Sequence, residues 1–284
     1  MPGFAYRIVN VFAEATAAHP RLTGNPLCVF EDARGLDTAA MQALAQQFNL
    51  SETVFVLPSD KATARIRIFT TAFEMPFAGH PTLGSAQVVR ALTGAGDQLT
   101  LETHAGVIPV TASGDEWTLR ANPPQTRPYA RSMAELAQTL GITASDIADT
   151  PLWVSTGNEQ LIVPLAGVDA VRHCRPDIAR MVAETTVKDA TKILVWADAG
   201  GDDVLARFYF VRHGVLGEDY GTGSAAANLG GWFLARQAAL PIRRVMHQGE
   251  AIARPATLQL TVDAQGAIRV GGLVVELGTG SLTL

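Results

Sequence analysis

A weak internal repeat is the feature that most constrains how this chain folds. Gly24-Asn25 precedes a strand pattern in the first half, and Gly157-Asn158 precedes one 133 residues later. Four further segments form two pairs at an offset of 140 residues, namely Arg67-Ile-Phe with Arg207-Phe-Tyr-Phe, and Thr82-Leu-Gly-Ser-Ala with Thr222-Gly-Ser-Ala. Because both offsets are close to half of the 284 residues, we expect two similar halves.

Strand patterns dominate both halves. Residues 64–68 alternate apolar and charged side chains, which predicts a half-buried strand. Further β-rich runs occur at 6–12, 26–30, 52–57, 98–103, 106–111, 116–120, 152–155, 160–165, 193–197, 204–210, 256–262 and 267–277.

Helical patterns are fewer, at 38–48 after the N-cap Asp37, and at 82–92, 131–140, 176–185 and 222–237. Segments 82–92 and 222–237 are small and apolar nearly all round, which predicts buried helices. Helices do not alternate regularly with strands, so the pattern favours an α+β fold over a doubly wound parallel sheet.

The two halves have predicted boundaries. The Pro-rich segment 122–128 predicts a linker between a first half, 1–122, and a second half, 129–274. We expect the C-terminal strand near 275–284 to join the first half.

Composition excludes several function classes. A net charge of −5 without a basic cluster argues against nucleic-acid binding.

The chain has two cysteines, Cys28 and Cys174, which form neither a disulfide framework nor a metal motif; we expect both to be core residues. The six histidines form no ligand-spaced pair, so no metal is expected. No apolar run approaches the ~18 residues of a membrane span and no signal peptide is visible, so the expected location is the cytoplasm.

Two segments combine a strand end, a glycine-containing turn and the start of a buried helix. They are 73–86 and 217–225. The first turn of a helix has unpaired N–H groups and the positive end of the helix dipole, so it can bind an anion. If the two halves face one another, these helix starts converge on a cleft that fits a small carboxylate. The alternative is ordinary helix capping by Thr and Ser. Gly221-Thr-Gly-Ser lacks the lysine of a phosphate-binding P-loop.

Glu52 begins a predicted strand directly after the helix at 38–48. One interpretation is a solvated side chain at a strand edge, which is common for Glu. The other is a carboxylate at the mouth of a cleft that acts as a general base.

The chain resembles the PhzF-like (phenazine-biosynthesis) isomerase family. The motifs that carry the resemblance run in order over nearly the whole chain: Val9-Asn-Val-Phe12, Gly24-Asn-Pro-Leu27, Asn49-Leu-Ser-Glu-Thr53, Glu74-Met-Pro-Phe-Ala-Gly-His-Pro-Thr-Leu-Gly84, Glu218-Asp219 with Thr222-Gly-Ser-Ala225, and Gln248-Gly249 with Arg254-Pro255. The resemblance implies the fold of diaminopimelate epimerase, in which two similar halves each curl a mostly antiparallel sheet around a central buried helix. It also suggests a homodimer.

The resemblance implies roles for residues at matched positions. Glu52 matches the carboxylate that moves the proton, and three further residues match polar groups of the cleft: His80, Asp219 and Ser224. Gly79, Gly221 and the backbone of Thr222, Gly223 and Ser224 match the cleft walls and the anion site. Cys28 and Cys174 lie outside both loops, so a two-thiol racemase is not supported. Tyr220 stands where the family usually has proline, which puts the phenazine substrate itself in doubt.

These observations lead to one hypothesis and two alternatives. The hypothesis is a cofactor-independent isomerase in which Glu52 moves a proton on a small carboxylate-bearing molecule. Burial of Glu52 in an apolar cleft would make it a stronger base. The first alternative is an amino-acid epimerase that uses non-thiol bases. The second is a non-catalytic binding or interaction protein on the same fold.

Overall fold

The computed structural model describes residues 3–212 and 214–284. Expectations that touch Met1, Pro2 and His213 lie outside these residues. The chain divides into two compact units, one formed by Met1–Arg120 with Gly271–Leu284 and the other by Ala121–Val270. Each unit is described separately below.

The first unit is rich in strands, as the sequence predicts. In chain order its elements are β1 (Gly3–Val11), β2 (Asn25–Phe30), α1 (Thr38–Phe48), β3 (Thr53–Leu57), β4 (Ala64–Phe69), β5 (Glu74–Met75), α2 (Gly79–Thr93), β6 (Gln98–Thr103), β7 (Gly106–Ser113) and β8 (Glu116–Arg120).

The second unit has a similar succession of elements. They are β9 (Gln125–Pro128), α3 (Met133–Leu140), β10 (Leu152–Ser155), β11 (Glu159–Pro164), α4 (Val168–His173), α5 (Ile178–Thr185), β12 (Thr186–Val187), β13 (Ala190–Gly200), β14 (Asp203–Arg212), β15 (Val215–Asp219), α6 (Gly223–Ala235), β16 (Ile242–Gln248), β17 (Ala256–Val262) and β18 (Ile268–Thr283). The last strand, β18, begins in the second unit and ends in the first.

The sheet of the first unit closes into a ring. β1 pairs with β2, β2 with β3, β3 with β4, β4 with β6, β6 with β7 and β7 with β8. β18 then pairs with both β8 and β1. Most of these pairings are antiparallel; β2–β3 and β4–β6 are parallel. Helix α2 lies inside the ring, packed against six of its strands, and its residues from His80 to Ala86 are all buried.

The second unit repeats this order of pairings around α6. β10 and β11 are antiparallel, β11 and β13 parallel, β13 and β14 antiparallel, β14 and β16 parallel, and β16 and β17 antiparallel. Helix α6 packs against β9, β10, β11 and β17, and its residues from Ala225 to Phe233 are buried. The expectation of two similar halves, each with a curled sheet around one buried helix, is therefore confirmed.

Small residues let each central helix approach its sheet. Gly84 of α2 lies so close to β1 and β2 that a Cβ atom would stand 2.6 Å from Leu27 Cδ2 and 2.9 Å from Val11 Cγ2. In α6, a Cβ atom at Gly231 would stand 2.7 Å from Pro124 Cβ. The glycines inside these helices are therefore required by packing, although glycine is a poor helix former.

A bidentate ion pair recurs at the strand edge before each central helix. Arg67 on β4 binds Glu74 on β5 through contacts of 2.7 and 2.6 Å, and Arg207 on β14 binds Glu218 on β15 through contacts of 3.1 and 2.7 Å. The Arg–Glu separation is 7 residues in the first unit and 11 in the second, so the second hairpin is longer by four residues.

The longer hairpin corrects the expected alignment of the repeat. Gly79 and Gly223 both begin the central helix of their unit, which is an offset of 144 residues rather than 140. His80 and Ser224 are therefore equivalent, as the second residue of each helix, and Thr82 does not correspond to Thr222.

The Pro-rich segment 122–128 is not simply a linker. Four of its residues form β9, which pairs antiparallel with β10 from Gln125 opposite Ser155 to Pro128 opposite Leu152. Proline has no N–H to donate to a neighbouring strand, so a Pro-rich segment does not predict a strand. All four residues of β9 are also exposed, so β9 lacks the apolar pattern of a buried strand. The sequence also does not predict the elements β5, β12, β15, β16 and α4.

In the described part of the chain, no helix combines the length and the apolar character needed to cross a membrane.

Candidate active site

Glu52 is held between a helix end and a paired strand. Helix α1 ends at Phe48, and its C-cap Asn49 adopts the left-handed conformation with φ of 52°. β3 begins at Thr53, so only Leu50, Ser51 and Glu52 lie between the cap and the sheet. Phe55 belongs to the aromatic cluster beneath α1, and side chains alternate along a strand, so Glu52 and Val54 face α2 instead.

The Glu52 carboxylate lies against the His80 ring. His80 Nδ1 lies 3.3 Å from Glu52 Oε2, and the Glu52 side chain is 17% exposed. Burial lowers the pKa of His80 to about 4, although a hydrogen bond with the backbone of Pro26 acts in the opposite direction. The ring is therefore neutral at pH 7.

The proton of this neutral ring can be assigned to one nitrogen. Among the described residues, His80 Nε2 is buried and has no hydrogen-bond partner. Pro26 has only a carbonyl to offer, so His80 Nδ1–H is the donor toward it. This protonated nitrogen is also the one that lies nearest to Glu52 Oε2.

In the second unit, Asp219 organises the loop before α6. Its carboxylate accepts hydrogen bonds from Tyr220 N at 2.9 Å and from Thr222 Oγ1 at 2.6 Å. Gln248 closes the loop, because its Nε2 donates to Asp219 O and its Oε1 accepts from Thr222 N. Gly249 follows with φ of 79°, and a Cβ atom there would stand 2.8 Å from Tyr220 O. This backbone approach explains why glycine follows Gln248.

Ser224 is held by a buried polar network under α6. Gln160 Nε2 donates to Ser224 Oγ at 2.9 Å, and Asn228 Nδ2 donates to Gln160 Oε1 at 2.9 Å. Asn228 Oδ1 in turn accepts from the backbone and hydroxyl of Thr156. Gln160 and Asn228 are fully buried, so this network fixes the first turns of α6 against β11.

Both central helices begin without a side-chain cap, unlike three of the outer helices. Asp37, Ser132 and Asp177 each accept a backbone N–H at the start of α1, α3 and α5. The N-caps of α2 and α6, Ala78 and Thr222, make no such bond. In α6, Ala225 N already donates to Thr222 O and Thr222 N to Gln248 Oε1, and in α2 Pro81 has no N–H. The groups that can bind an anion are therefore the N–H groups of Gly79 and His80 in α2 and of Gly223 and Ser224 in α6.

The predicted site residues form two groups. Glu52, His80 and Gly79 lie together at the start of α2 in the first unit. Asp219, Thr222, Gly223 and Ser224 lie with Gly221 at the start of α6 in the second unit. The Asp219 carboxylate accepts from Thr222, and the Ser224 hydroxyl accepts from Gln160, both within the second unit.

Three residues of the second group were not predicted as site residues. They are Gln160, Asn228 and Gln248. Asn228 carries a signal in the sequence, because it is the single polar side chain between Ala225 and Leu234. The partners of Gln160 and Gln248 are 64 and 26 residues away, so only the fold reveals them.

The cysteines are core residues, as expected. Cys28 on β2 and Cys174 after α4 are both fully buried and unpaired. Burial raises the pKa of both thiols, that of Cys174 to about 11. Within residues 3–212 and 214–284, no group of three or more His, Cys, Asp or Glu side chains is placed to hold a metal ion.

Comparison with known proteins shows which family the chain resembles. The pattern of the phenazine biosynthesis-like protein family matches residues 9–280. A protein of Pasteurella multocida named as an isomerase is 38% identical over 98% of this chain and 94% of its own length. The trans-2,3-dihydro-3-hydroxyanthranilate isomerase of Pseudomonas aeruginosa is 35% identical over 92% of this chain and 94% of its own length.

A solved structure agrees with these relatives. The PhzF-family phenazine biosynthesis protein of Bacillus anthracis superposes with a TM-score of 0.86 at 25% identity, and the match covers all of both chains. The fold is thus the epimerase-like fold that the sequence predicts. The family match over most of the chain, the identities and the shared fold agree with one another, and the chain belongs to the phenazine biosynthesis-like, PhzF-type family of isomerases.

Proposed function

We propose that the protein is a cofactor-independent isomerase that moves a proton on a small carboxylate-bearing substrate. Glu52 acts as the general base and acid. His80 and Asp219 are the further catalytic residues. The walls and the anion site are Gly79, Gly221, Thr222, Gly223 and Ser224.

The contact between Glu52 and His80 is the observation that carries this proposal. A carbon acid needs a base that is held in place and kept partly out of water. Glu52 is mostly buried, and its Oε2 lies 3.3 Å from the Nδ1 of a neutral imidazole. A neutral His80 orients the carboxylate without neutralising it, so Glu52 stays able to accept a proton.

The uncapped helix starts support the acidic nature of the substrate. The N–H groups of Gly79, His80, Gly223 and Ser224 lie at helix starts whose N-cap side chains make no capping bond. Donors of this kind can bind a substrate carboxylate and can stabilise negative charge that develops while the proton is off carbon.

The relatives suggest where the search for a substrate begins. The Pseudomonas aeruginosa relative is named for an isomerisation of trans-2,3-dihydro-3-hydroxyanthranilate, which is a small cyclic carboxylate. Tyr220 stands close to Asp219, with the Arg254 guanidinium 5.3 Å above its ring. This cation–π pair adds bulk to the loop, which would select among such acids.

The proposal is tested by incubating the protein with trans-2,3-dihydro-3-hydroxyanthranilate in deuterium oxide. We expect one deuterium to enter the product at the carbon that receives the proton, detected by mass spectrometry and NMR. In parallel, a panel of L-amino acids is examined for exchange of the α-hydrogen. Exchange on that panel alone would establish the epimerase alternative, and binding of acids with neither exchange nor conversion to an isomer would establish the non-catalytic one.

We also propose a homodimer, on the family resemblance and the hydrophobic composition of 48%. Sedimentation at micromolar concentration is expected to give twice the chain mass of 30.1 kDa. A single species at the chain mass would contradict the dimer without affecting the proposed chemistry.

A further inference from the structure

Lys192 occupies in the second unit the position that Glu52 occupies in the first. Each directly precedes a residue with two strand partners: Thr53 lies opposite Cys28 and Phe69, and Ile193 lies opposite Leu161 and Tyr209. Cys28 and Leu161 are 133 residues apart, and Phe69 and Tyr209 are 140 apart, which are the two offsets of the internal repeat. Both neighbouring strands thus give the same equivalence.

The Lys192 side chain also points toward the central helix of its unit. Ile193 and Val195 belong to the core beneath the outer helices of the second unit. Trp196, on the opposite face of β13, packs on Trp232 of α6 with ring centroids 5.2 Å apart. Side chains alternate along a strand, so Lys192 shares the face of Trp196 and faces α6, as Glu52 faces α2.

Lys192 is joined to the polar network that supports the start of α6. Its Nζ donates to Asn158 Oδ1 at 2.9 Å, and Asn158 O accepts from Asn228 Nδ2 at 2.9 Å. Through Asn228 and Gln160 the network reaches Ser224, which is the equivalent of His80. The ammonium is therefore linked to the predicted anion-binding loop by four hydrogen bonds, through Asn158, Asn228 and Gln160.

The chain supplies Lys192 with an amide partner but no counter-ion. No ion pair of Lys192 is found among the described residues, and burial lowers its pKa. An ammonium has three donors, of which the bond to Asn158 uses one. A partly buried cation is costly unless it is paired, so its surroundings favour an anionic partner.

We propose that Lys192 binds the acidic group of the ligand, its ammonium donating to a carboxylate oxygen. This inference rests on the proposed function and adds a residue that the sequence analysis does not single out. At equivalent positions of the repeat, the first unit has a carboxylate, Glu52, and the second has a cation, Lys192. Glu52 abstracts the proton, and Lys192 holds the substrate by its acid.

The test uses two probes that differ by the carboxylate. 3-Hydroxyanthranilate carries carboxylate, amine and hydroxyl groups on an aromatic ring that cannot isomerise, and 2-aminophenol lacks the carboxylate. Calorimetric titration is performed on the intact protein and on two variants, Lys192→Met and Lys192→Arg. We expect Lys192→Met to bind 3-hydroxyanthranilate about tenfold or more weakly, and Lys192→Arg to stay within about threefold. Binding of 2-aminophenol is expected to be equally weak in all three proteins.

Controls separate binding from folding and from the proposed function. Lys188→Met removes an exposed lysine from the turn before β13 and should leave affinity unchanged. Thermal unfolding shows whether Lys192→Met folds. If it does not fold, the affinity of Lys192→Arg for 3-hydroxyanthranilate tests the role of the cation instead. Equal affinity in Lys192→Met and the intact protein would overturn the role of Lys192 alone. An intact protein that binds neither 3-hydroxyanthranilate nor the dihydro acid would overturn the proposed function and this inference with it.

Discussion

Glu52 Oε2 and His80 Nδ1 lie 3.3 Å apart although 28 residues separate them in the sequence. The fold creates this contact because Glu52 directly precedes β3, a strand of the ring, and His80 is the second residue of α2, the helix inside that ring. The pairing of a mostly buried carboxylate with a neutral imidazole is suited to proton transfer, since neither group cancels the function of the other.

Replacing Glu52 by Gln removes the base and keeps the shape of the side chain. If Glu52 moves the proton, turnover falls at least ~10²-fold, the typical contribution of a general base. Binding of 3-hydroxyanthranilate should change little, because the amide keeps the shape of the side chain. Steady-state rates with the dihydro acid and calorimetric titration measure the two effects.

The matched control is Glu116→Gln, which changes an exposed glutamate on β8. Its turnover is expected to equal that of the intact protein. Near-normal turnover in Glu52→Gln would remove Glu52 from the mechanism, whatever the effect on binding.

The buried neutral His80 makes stability depend on pH. Its pKa is about 4 in the folded protein and near 6.5 when unfolded, so the unfolded chain binds more protons between these values. Stability contributed by His80 is therefore present at pH 7 and is lost as the pH falls toward 4. Between pH 7 and pH 5 this group alone should lower the free energy of unfolding by ~2 kcal/mol.

Urea unfolding of the intact protein and of His80→Asn at both pH values isolates this effect. The other titrating groups act in both proteins, so their contributions cancel in the comparison. The intact protein should lose more stability than His80→Asn on acidification. An equal loss in the two proteins would show that His80 is not buried as a neutral ring.

The sequence predicts the halves and their central helices because both depend on local patterns. Helix α1 occupies the predicted residues 38–48 and is capped by Asp37, as expected from a side-chain oxygen before an apolar pattern. The buried helices were recognisable because small apolar residues cover every face. The Glu52 and His80 positions followed from motifs that belong to the family resemblance.

What the sequence does not predict depends on contacts over long separations. Strand β16 contains Arg243 and Arg244 and shows no alternation, so only its pairing with β14 and β17 makes it a strand. The extra four residues of the second hairpin shift the repeat, which the Thr82 and Thr222 motifs concealed. The sequence motifs do not reveal Lys192 for the same reason, because its equivalence to Glu52 exists only in the strand register.

Packing at Gly84 predicts a stability effect. In Gly84→Ala the new methyl group would stand 2.6 Å from Leu27 Cδ2 and 2.9 Å from Val11 Cγ2, inside a fully buried layer. Overpacking of this kind costs ~1–3 kcal/mol, although alanine is the better helix former. Gly96→Ala is the control, because nothing lies within 4 Å of its added Cβ atom. Denaturant unfolding should show a loss for Gly84→Ala only; equal midpoints would contradict the close approach of α2 to the sheet.

The repeated Arg–Glu pair predicts another difference. Arg207 and Glu218 have side chains that are 10% and 9% exposed, whereas those of Arg34 and Asp32 are 71% and 50% exposed. Removing one partner of a buried pair leaves an uncompensated charge and costs ~3–5 kcal/mol, while an exposed pair contributes ~0–1 kcal/mol. Glu218→Ala should therefore lower the free energy of unfolding far more than Asp32→Ala. Similar small losses in both variants would show that Arg207 finds other partners.

The two cysteines predict how the protein responds to thiol reagents. Cys28 and Cys174 are fully buried, and burial raises the pKa of both, so almost no thiolate forms near pH 7. Cys174 Sγ also donates to Leu140 O at 3.3 Å, which anchors it within the core. Native protein treated with iodoacetamide should remain unmodified by mass spectrometry, and unfolding in guanidinium should expose two reactive thiols per chain. Turnover should likewise survive the treatment, because the proposed proton transfer uses a carboxylate and no thiol. Rapid alkylation of the native protein together with loss of turnover would instead show that a cysteine is accessible and takes part in the reaction, which would contradict the proposed carboxylate chemistry.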